Sequence, residues 1–477
     1  MREKDTAMND ITNMTALDQS QAIAEGQLSA AELMEATLSQ VARVNPQVNA
    51  IVSLRDADEL MAEARVMDET PRKGWLHGIP LAVKDLANAE GLPTSMGNPM
   101  FANSIAPKDD LVVARMRAAG AIIIGKTNTP EWGLGSHTFN PVHGATRNPY
   151  DLSRSAGGSS GGAAAALAAR MLSVADGSDM MGSLRNPGAW NNVYGFRPTY
   201  GRVPSEPVGD NFLHQLATLG PMARTPRDMA ALLDTQAGAD PRQPHGASYD
   251  LTLPSIDAPV KGRRIGWLGD WGGAFPMEAG LMSHSEEAIP QLEALGIIAE
   301  PVAPPFSADA IWESWTTLRS WAIAGGLSVF YNDASKRDQL KPEAIWEIER
   351  GLSFSAMDVH RASVLRSDWF KICSTLFEQY DALVLPTTQL YPFPVEWTYP
   401  NEVGGQAMDT YHRWMHIVTP VGLIGLPCIN IPLDMGANGL PAGLSLFGPR
   451  DSDAALMQLG QAWHKAYHYS LSRAPLS

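Results

Sequence analysis

The amino-acid sequence predicts an α/β fold, with a largely parallel sheet covered by helices. Two observations carry this. Short apolar, β-branched runs such as residues 79–83 and 121–125 read as buried strands. Longer segments with helical spacing and cap signals lie between them, so strand and helix alternate along the chain. The 477 residues are 44% apolar and 18% charged, an ordinary globular composition. The 42 glycines and 35 prolines imply many tight turns without reaching low-complexity levels.

Taken in order, residues up to about Thr15 read as a polar, loosely held tail. Ser29 and Glu32 have capping-box spacing, and Leu33, Ala36, Thr37, Val41 and Val44 follow a helical period that Asn45 and Pro46 end. Residues 56–67 form a second helix. Residues 78–83 turn into a buried strand that delivers Lys84 and Asp85. A helix over 111–119 stops at Gly120, and residues 121–125 are the next strand. The Gly-Gly-Ser-Ser-Gly-Gly loop at 157–162 opens onto an Ala-rich helix over 163–170. Val174 and Ala175 end another strand, and 177–182 is again a loop. Pro226 sits in the first turn of a helix over 228–233. Residues 264–268, 382–386 and 429–432 are further strands, the last two ended by proline. No repeat and no linker divides the chain.

Several functions are disfavoured at once. A net charge of −15 repels phosphate backbones and argues against a nucleic-acid partner. Cys373 and Cys428 are too few for a disulfide framework or a four-thiolate metal site, and read as buried, inert thiols suited to a reducing compartment. The N-terminus has no signal-peptide apolar core. The longest apolar stretches, 118–125 and 163–169, fall far short of the roughly 20 residues that span a bilayer. The expectation is a cytoplasmic protein without membrane attachment or cofactor.

The densest chemical signal is residues 155–185, with two Gly-Ser loops at element boundaries. Glycines there let backbone N–H groups converge on one point, and a serine in such a loop can attack a carbonyl while those groups hold the oxyanion. A serine needs a base. No histidine lies close to either loop, and His137 and His143 have no partner pattern. Lys84 follows an apolar strand, so its amine can be carried inside, where desolvation lowers its pKa towards neutrality. Each item alone has an ordinary reading: a structural glycine loop, a solvated lysine.

In combination and order these pieces closely resemble the amidase signature family. Residues 76–85 (Leu-His-Gly-Ile-Pro-Leu-Ala-Val-Lys-Asp), 125–128, 157–162, 177–187 and 195–203 resemble its successive motifs, and residues 220–225, 380–387 and 439–444 continue the match. The resemblance implies a single domain over 1–477, with a central twisted mixed sheet covered by helices on both faces. It implies a catalytic core at about 70–235 and a variable substrate-shaping region at about 300–420. It implies Ser183 as nucleophile, Ser159 after a cis peptide as bridging serine, and Lys84 as base. Backbone N–H groups of Met180, Met181, Gly182 and Ser183 would form the oxyanion hole, with Ser160, Asp179 and Arg185 as supports. Most of the family has Thr-Gly-Gly before the nucleophile, whereas this chain has Met180-Met181-Gly182. That variant resembles the branch with cyclic nylon-oligomer hydrolases, aryl acylamidases and metagenomic urethanases. It implies a small-molecule substrate: a bulky, neutral secondary amide or carbamate. Monomer and homodimer both stay open.

Rival patterns fare worse. Residues 157–161 fit Gly-x-Ser-x-Gly, but residues 148–154 are no apolar strand to precede such an elbow, and no Lys-Ser/Thr follows to make a nucleotide loop. His412/His416 and His464/His468 have metal-compatible helical spacing without the adjacent glutamate, and read as structural or surface groups. Seven of thirteen tryptophans (312, 315, 321, 346, 369, 397 and 414) fall within 301–420, where they serve either core packing or an apolar pocket wall. The alternative function is a glutaminase-type subunit of a tRNA-dependent amidotransferase, which the charge and the Met-Met variant disfavour.

Overall fold

A computed structural model describes residues 10–472 and residue 476. Residues 1–9, most of the expected tail, lie outside the described part. Residues 10–13 are helical rather than loose, and Thr12 is buried where its carbonyl accepts from the Arg224 guanidinium.

Eleven strands build two sheets: β1 (Ile51–Val52), β2 (Pro80–Lys84), β3 (Ile122–Thr127), β4 (Val174–Asp179), β5 (Tyr194–Arg197), β6 (Thr218–Ala223), β7 (Arg264–Trp267), β8 (Ile298–Pro301), β9 (Ala382–Pro386), β10 (Cys428–Pro432) and β11 (Gly443–Phe447). The small sheet has the order β1-β3-β2, with β2 parallel and β1 antiparallel to β3. The large one has eight strands in the order β8-β7-β9-β11-β10-β5-β6-β4. Its β8–β7 and β7–β9 pairs are parallel and the remaining pairs antiparallel. The sheet is therefore mixed, and the largely parallel arrangement read from strand–helix alternation is corrected. The reason is physical: these central strands are buried along their length, and a continuous apolar run looks the same in either direction.

Several boundaries follow the sequence closely. The Ser29–Glu32 capping box forms, and its helix runs Ala30–Val48. Pro46 does not end it. The last turn absorbs the missing N–H, Asn49 adopts a left-handed cap, and the Asn45 carboxamide oxygen accepts from Ala50 and Ile51 N–H at 2.9 Å. A larger departure concerns β4. It begins at Val174 instead of ending at Ala175, so Gly177, Ser178 and Asp179 are strand residues paired with β6. Glycine is needed in that strand: a Cβ on Gly177 would stand 2.7 Å from Ser160 Oγ.

The Ala-rich helix, Gly161–Ala168, is buried on every side between the two sheets. Small side chains let it pack against Ala82, Ile122, Ile124 and Ala175. Its N-terminus is seated by Gly162, whose N–H donates to Asn128 O at 3.2 Å. Outside this core, helices Ala308–Tyr331, Pro342–Ser353 and Ala356–Leu376 pack together and bring residues 308–331 against the loop after β4. Among the described residues no helix is long and apolar enough to cross a membrane.

Candidate active site

Three elements end at one point. Lys84 is the last residue of β2, Ser159 and Ser160 precede the buried helix, and Ser183 lies in the turn between β4 and the helix Arg185–Trp190. The Gly158–Ser159 peptide is cis. The two loops are laced together, since Ser160 N–H donates to Ser183 O at 3.2 Å. The two sheets are laced as well: Lys84 N–H donates to Asp176 Oδ1 of β4 at 3.0 Å.

Lys84 is 2% exposed, and its Nζ is ringed by hydroxyls. Ser159 Oγ lies at 2.8 Å, Ser160 Oγ at 2.9 Å and Ser178 Oγ at 3.0 Å. Burial removes water from the ammonium and brings its pKa down to about 7, against the smaller opposing pull of Asp176 and Asp179. Burial pushes Asp176 up to about 6. A neutral amine has two N–H donors and one lone pair. With three hydroxyls in reach, such an amine can donate to two of them and accept a proton from the third.

Asp179 anchors the turn that carries Ser183. Its carboxylate accepts from Gly182 N–H at 3.0 Å, Leu184 N–H at 3.2 Å, Arg185 Nε at 3.0 Å and Arg197 Nη1 at 3.0 Å. Burial alone would raise this carboxyl, but Arg185 and Arg197 outweigh it and hold it well below the usual range. Of the four N–H groups expected to form an oxyanion hole, that of Gly182 already donates to Asp179, which leaves those of Met180, Met181 and Ser183. These three donate to no protein acceptor among the described residues. Gly182 instead supplies the left-handed conformation of the turn, at φ +78°.

Ser159, Ser178 and Ser183 open onto a cavity of about 140 Å³. Its walls are mostly apolar: Leu86, Trp132, Leu134, Met181, Ile323 and Met415. Residues 300–420 thus reach the cavity, but not through the tryptophan cluster. None of those seven lines it; Trp315, Trp369 and Trp414 are core, and Trp321 borders a separate outer depression. The aromatic wall is Trp132.

Sequence reasoning missed Ser178, Asp176 and Arg319. Ser178 stands inside the quoted motif, one residue before Asp179. Arg319 is the lone charge between Glu313 and Asn332, in an otherwise apolar or hydroxylated helix face, and that isolation was a readable signal. Among the described residues no histidine lines this cavity: His137 bonds Ser155 Oγ and Val395 O, and buried His412 and His416 are both pushed down to about 3 by desolvation. His468 is exposed and closes a helix. Cys373 and Cys428 are buried free thiols. Among the described residues no group of three or more His, Cys, Asp or Glu side chains could hold a metal ion.

Fold and site together define a mixed α/β protein with a buried lysine beside serines that line one cavity, and its relatives make it a hydrolase of carbon–nitrogen bonds. The family described as Amidase matches residues 32–457, and the chain belongs to this family, the amidase signature enzymes. It is 33% identical to an acylamidase of Rhodococcus erythropolis over 456 residues, 93% of this chain and 94% of that protein. It is also 33% identical to a glutamyl-tRNA(Gln) amidotransferase subunit of Symbiobacterium thermophilum over 485 residues, 95% of this chain and 96% of that one. Among solved structures, a bacterial aryl acylamidase superposes with a TM-score of 0.89 at 26% identity, covering 96% of this chain and 99% of the other.

Proposed function

We propose that this amidase hydrolyses bulky, neutral secondary amides or carbamates through an acyl-enzyme on Ser183, with Ser159 as proton relay and Lys84 as base. The observation that carries the reading is a buried, desolvated lysine 2.8 Å from Ser159, with Ser159 and Ser183 on one cavity. Neutral Lys84 accepts the Ser159 proton as Ser159 accepts that of Ser183. Ser183 Oγ bonds to the carbonyl carbon, and the N–H groups of Met180, Met181 and Ser183 receive the developing oxyanion. When the C–N bond breaks, the proton returns by the same route to the leaving nitrogen. Water then attacks the ester, delivers a proton along the relay and frees Ser183.

The apolar walls support a bulky neutral acyl group, as does similarity to the Rhodococcus acylamidase. The similarity to amidotransferase subunits supports a second reading, a glutaminase-type component of such a complex. The two separate by experiment. A fluorophosphonate is expected to label Ser183, and Ser183→Ala to abolish anilide hydrolysis with the fold retained. Activity above a tenth of wild type, or an adduct on another residue, overturns the nucleophile assignment. Faster turnover of glutamine than of an anilide or aryl carbamate favours the second reading.

A further inference from the structure

Arg319 is the cationic residue lining the catalytic cavity, and it has no part in the mechanism above. The residue is 3% exposed, and its guanidinium is held from behind. Nε donates to Glu347 Oε1 at 2.7 Å and Nη2 to Tyr411 Oη at 2.8 Å, while Tyr411 Oη also donates to Glu347 Oε1 at 2.8 Å. Ser320 Oγ donates to the other Glu347 oxygen. The guanidinium carbon lies 5.1 Å from the Trp315 ring centroid. Nε and Nη2 thus each have an oxygen acceptor, whereas the one acceptor that Nη1 meets among the described residues is a sulfur, Met180 Sδ at 3.0 Å.

A thioether is a weak acceptor. A desolvated guanidinium N–H aimed at one costs stability that a carbonyl oxygen would recover. Met180 is also a flexible side chain, free to yield the position. The charge is already balanced, because Glu347 pairs with Arg319 at 2.7 Å and the nearby His412 is neutral. A second anion would enter a mostly apolar cavity with no other cation among its lining residues, whereas a neutral oxygen needs none.

We propose that Arg319 Nη1 is a specificity determinant that donates to a second, uncharged oxygen acceptor on the acyl part of the substrate, displacing the Met180 thioether. The preferred substrates are then amides or carbamates whose acyl chain carries another carbonyl, as in diamides and oligomers. This rests on the reading that the cavity holds the acyl group.

The test is binding, which does not depend on turnover. Ser183→Ala protein is titrated calorimetrically with hexananilide, its 4-oxo and 5-oxo analogues, and the anilide of glutaric acid. At least one oxo analogue is expected to bind about tenfold or more tightly than hexananilide, the worth of a hydrogen bond to a charged donor. The advantage is expected to vanish with Arg319→Met/Glu347→Gln in the same background, a pair chosen so that neither partner is left charged. Equal affinities, no measurable binding of any of them, or an advantage that survives the double substitution overturn the proposal. Tightest binding by the carboxylate overturns the neutral acceptor. Wild-type hydrolysis of hexananilide is measured separately, so failure of the amidase reading is distinguished from failure of this one.

Discussion

Lys84 and Asp179 are opposite solutions to burial. Lys84 meets only hydroxyls and distant carboxylates, so desolvation wins and the amine approaches neutrality. Asp179 meets two guanidinium groups, so the charge persists. Removing that charge leaves Arg185 and Arg197 buried without a counter-ion, and Asp179→Asn is expected to cost about 3–5 kcal/mol of stability. Its folded pKa is depressed, so this contribution is present above the unfolded value of about 4 and is lost as pH falls below it. Urea midpoints at pH 7 and pH 3 check both parts: the variant falls at pH 7 and loses less than wild type on acidification. Equal midpoints at pH 7 contradict the role given to this carboxylate. At this scale the sequence was informative, because Lys84, Ser159, Ser160, Asp179, Ser183 and Arg185 sit in ordered motifs. Asp176 was harder to see, because its contact with Lys84 exists only in the folded chain, whereas the isolated charge of Arg319 was legible but its neighbours were not.

At the scale of elements, caps and apolar runs were legible because their causes are local: Ser29 with Glu32, and the β-branched run ahead of Lys126. β4 was misread because Gly177 looks like the start of a loop until β6 is seen opposite, with Gly177 facing Gly220. The same close approach makes Gly162 sensitive. A Cβ there would stand 2.3 Å from Asn128 N and 2.7 Å from Ala50 O, both backbone atoms that cannot swing aside. Gly162→Ala is expected to cost at least about 1–3 kcal/mol and to reduce activity more than tenfold, because the helix it displaces begins just after Ser159 and Ser160. Thermal unfolding and anilide turnover measure the two. Unchanged values in both contradict the packing described.

Across the whole molecule, strand direction was the feature least accessible from pattern. Buried strands lack the alternation that would reveal a face, and long-range pairing decides their order. The tryptophan cluster misled for a related reason: density along a sequence says that a region packs, not which cavity it packs around. Met180, Met181 and the three hydroxyls around Lys84 need no cofactor for the proposed chemistry, so dialysis against a chelator is expected to leave anilide hydrolysis unchanged. Activity lost on chelation and restored by zinc or manganese contradicts the mechanism. The central claim is that neutral Lys84 draws the proton from Ser159. Burial brings the Lys84 ammonium down to about 7 and the Asp176 carboxyl up to about 6, and the two charges attract each other, so their protonation is linked. The most direct measurement is kcat/KM for an uncharged anilide from pH 5 to pH 9. The account predicts a rate that rises with pH, turns over near pH 7 and then stays level, a dependence lost in Lys84→Ala and not restored by Lys84→Arg, whose guanidinium stays charged. A profile flat across this range, or substantial turnover by Lys84→Arg, would contradict it.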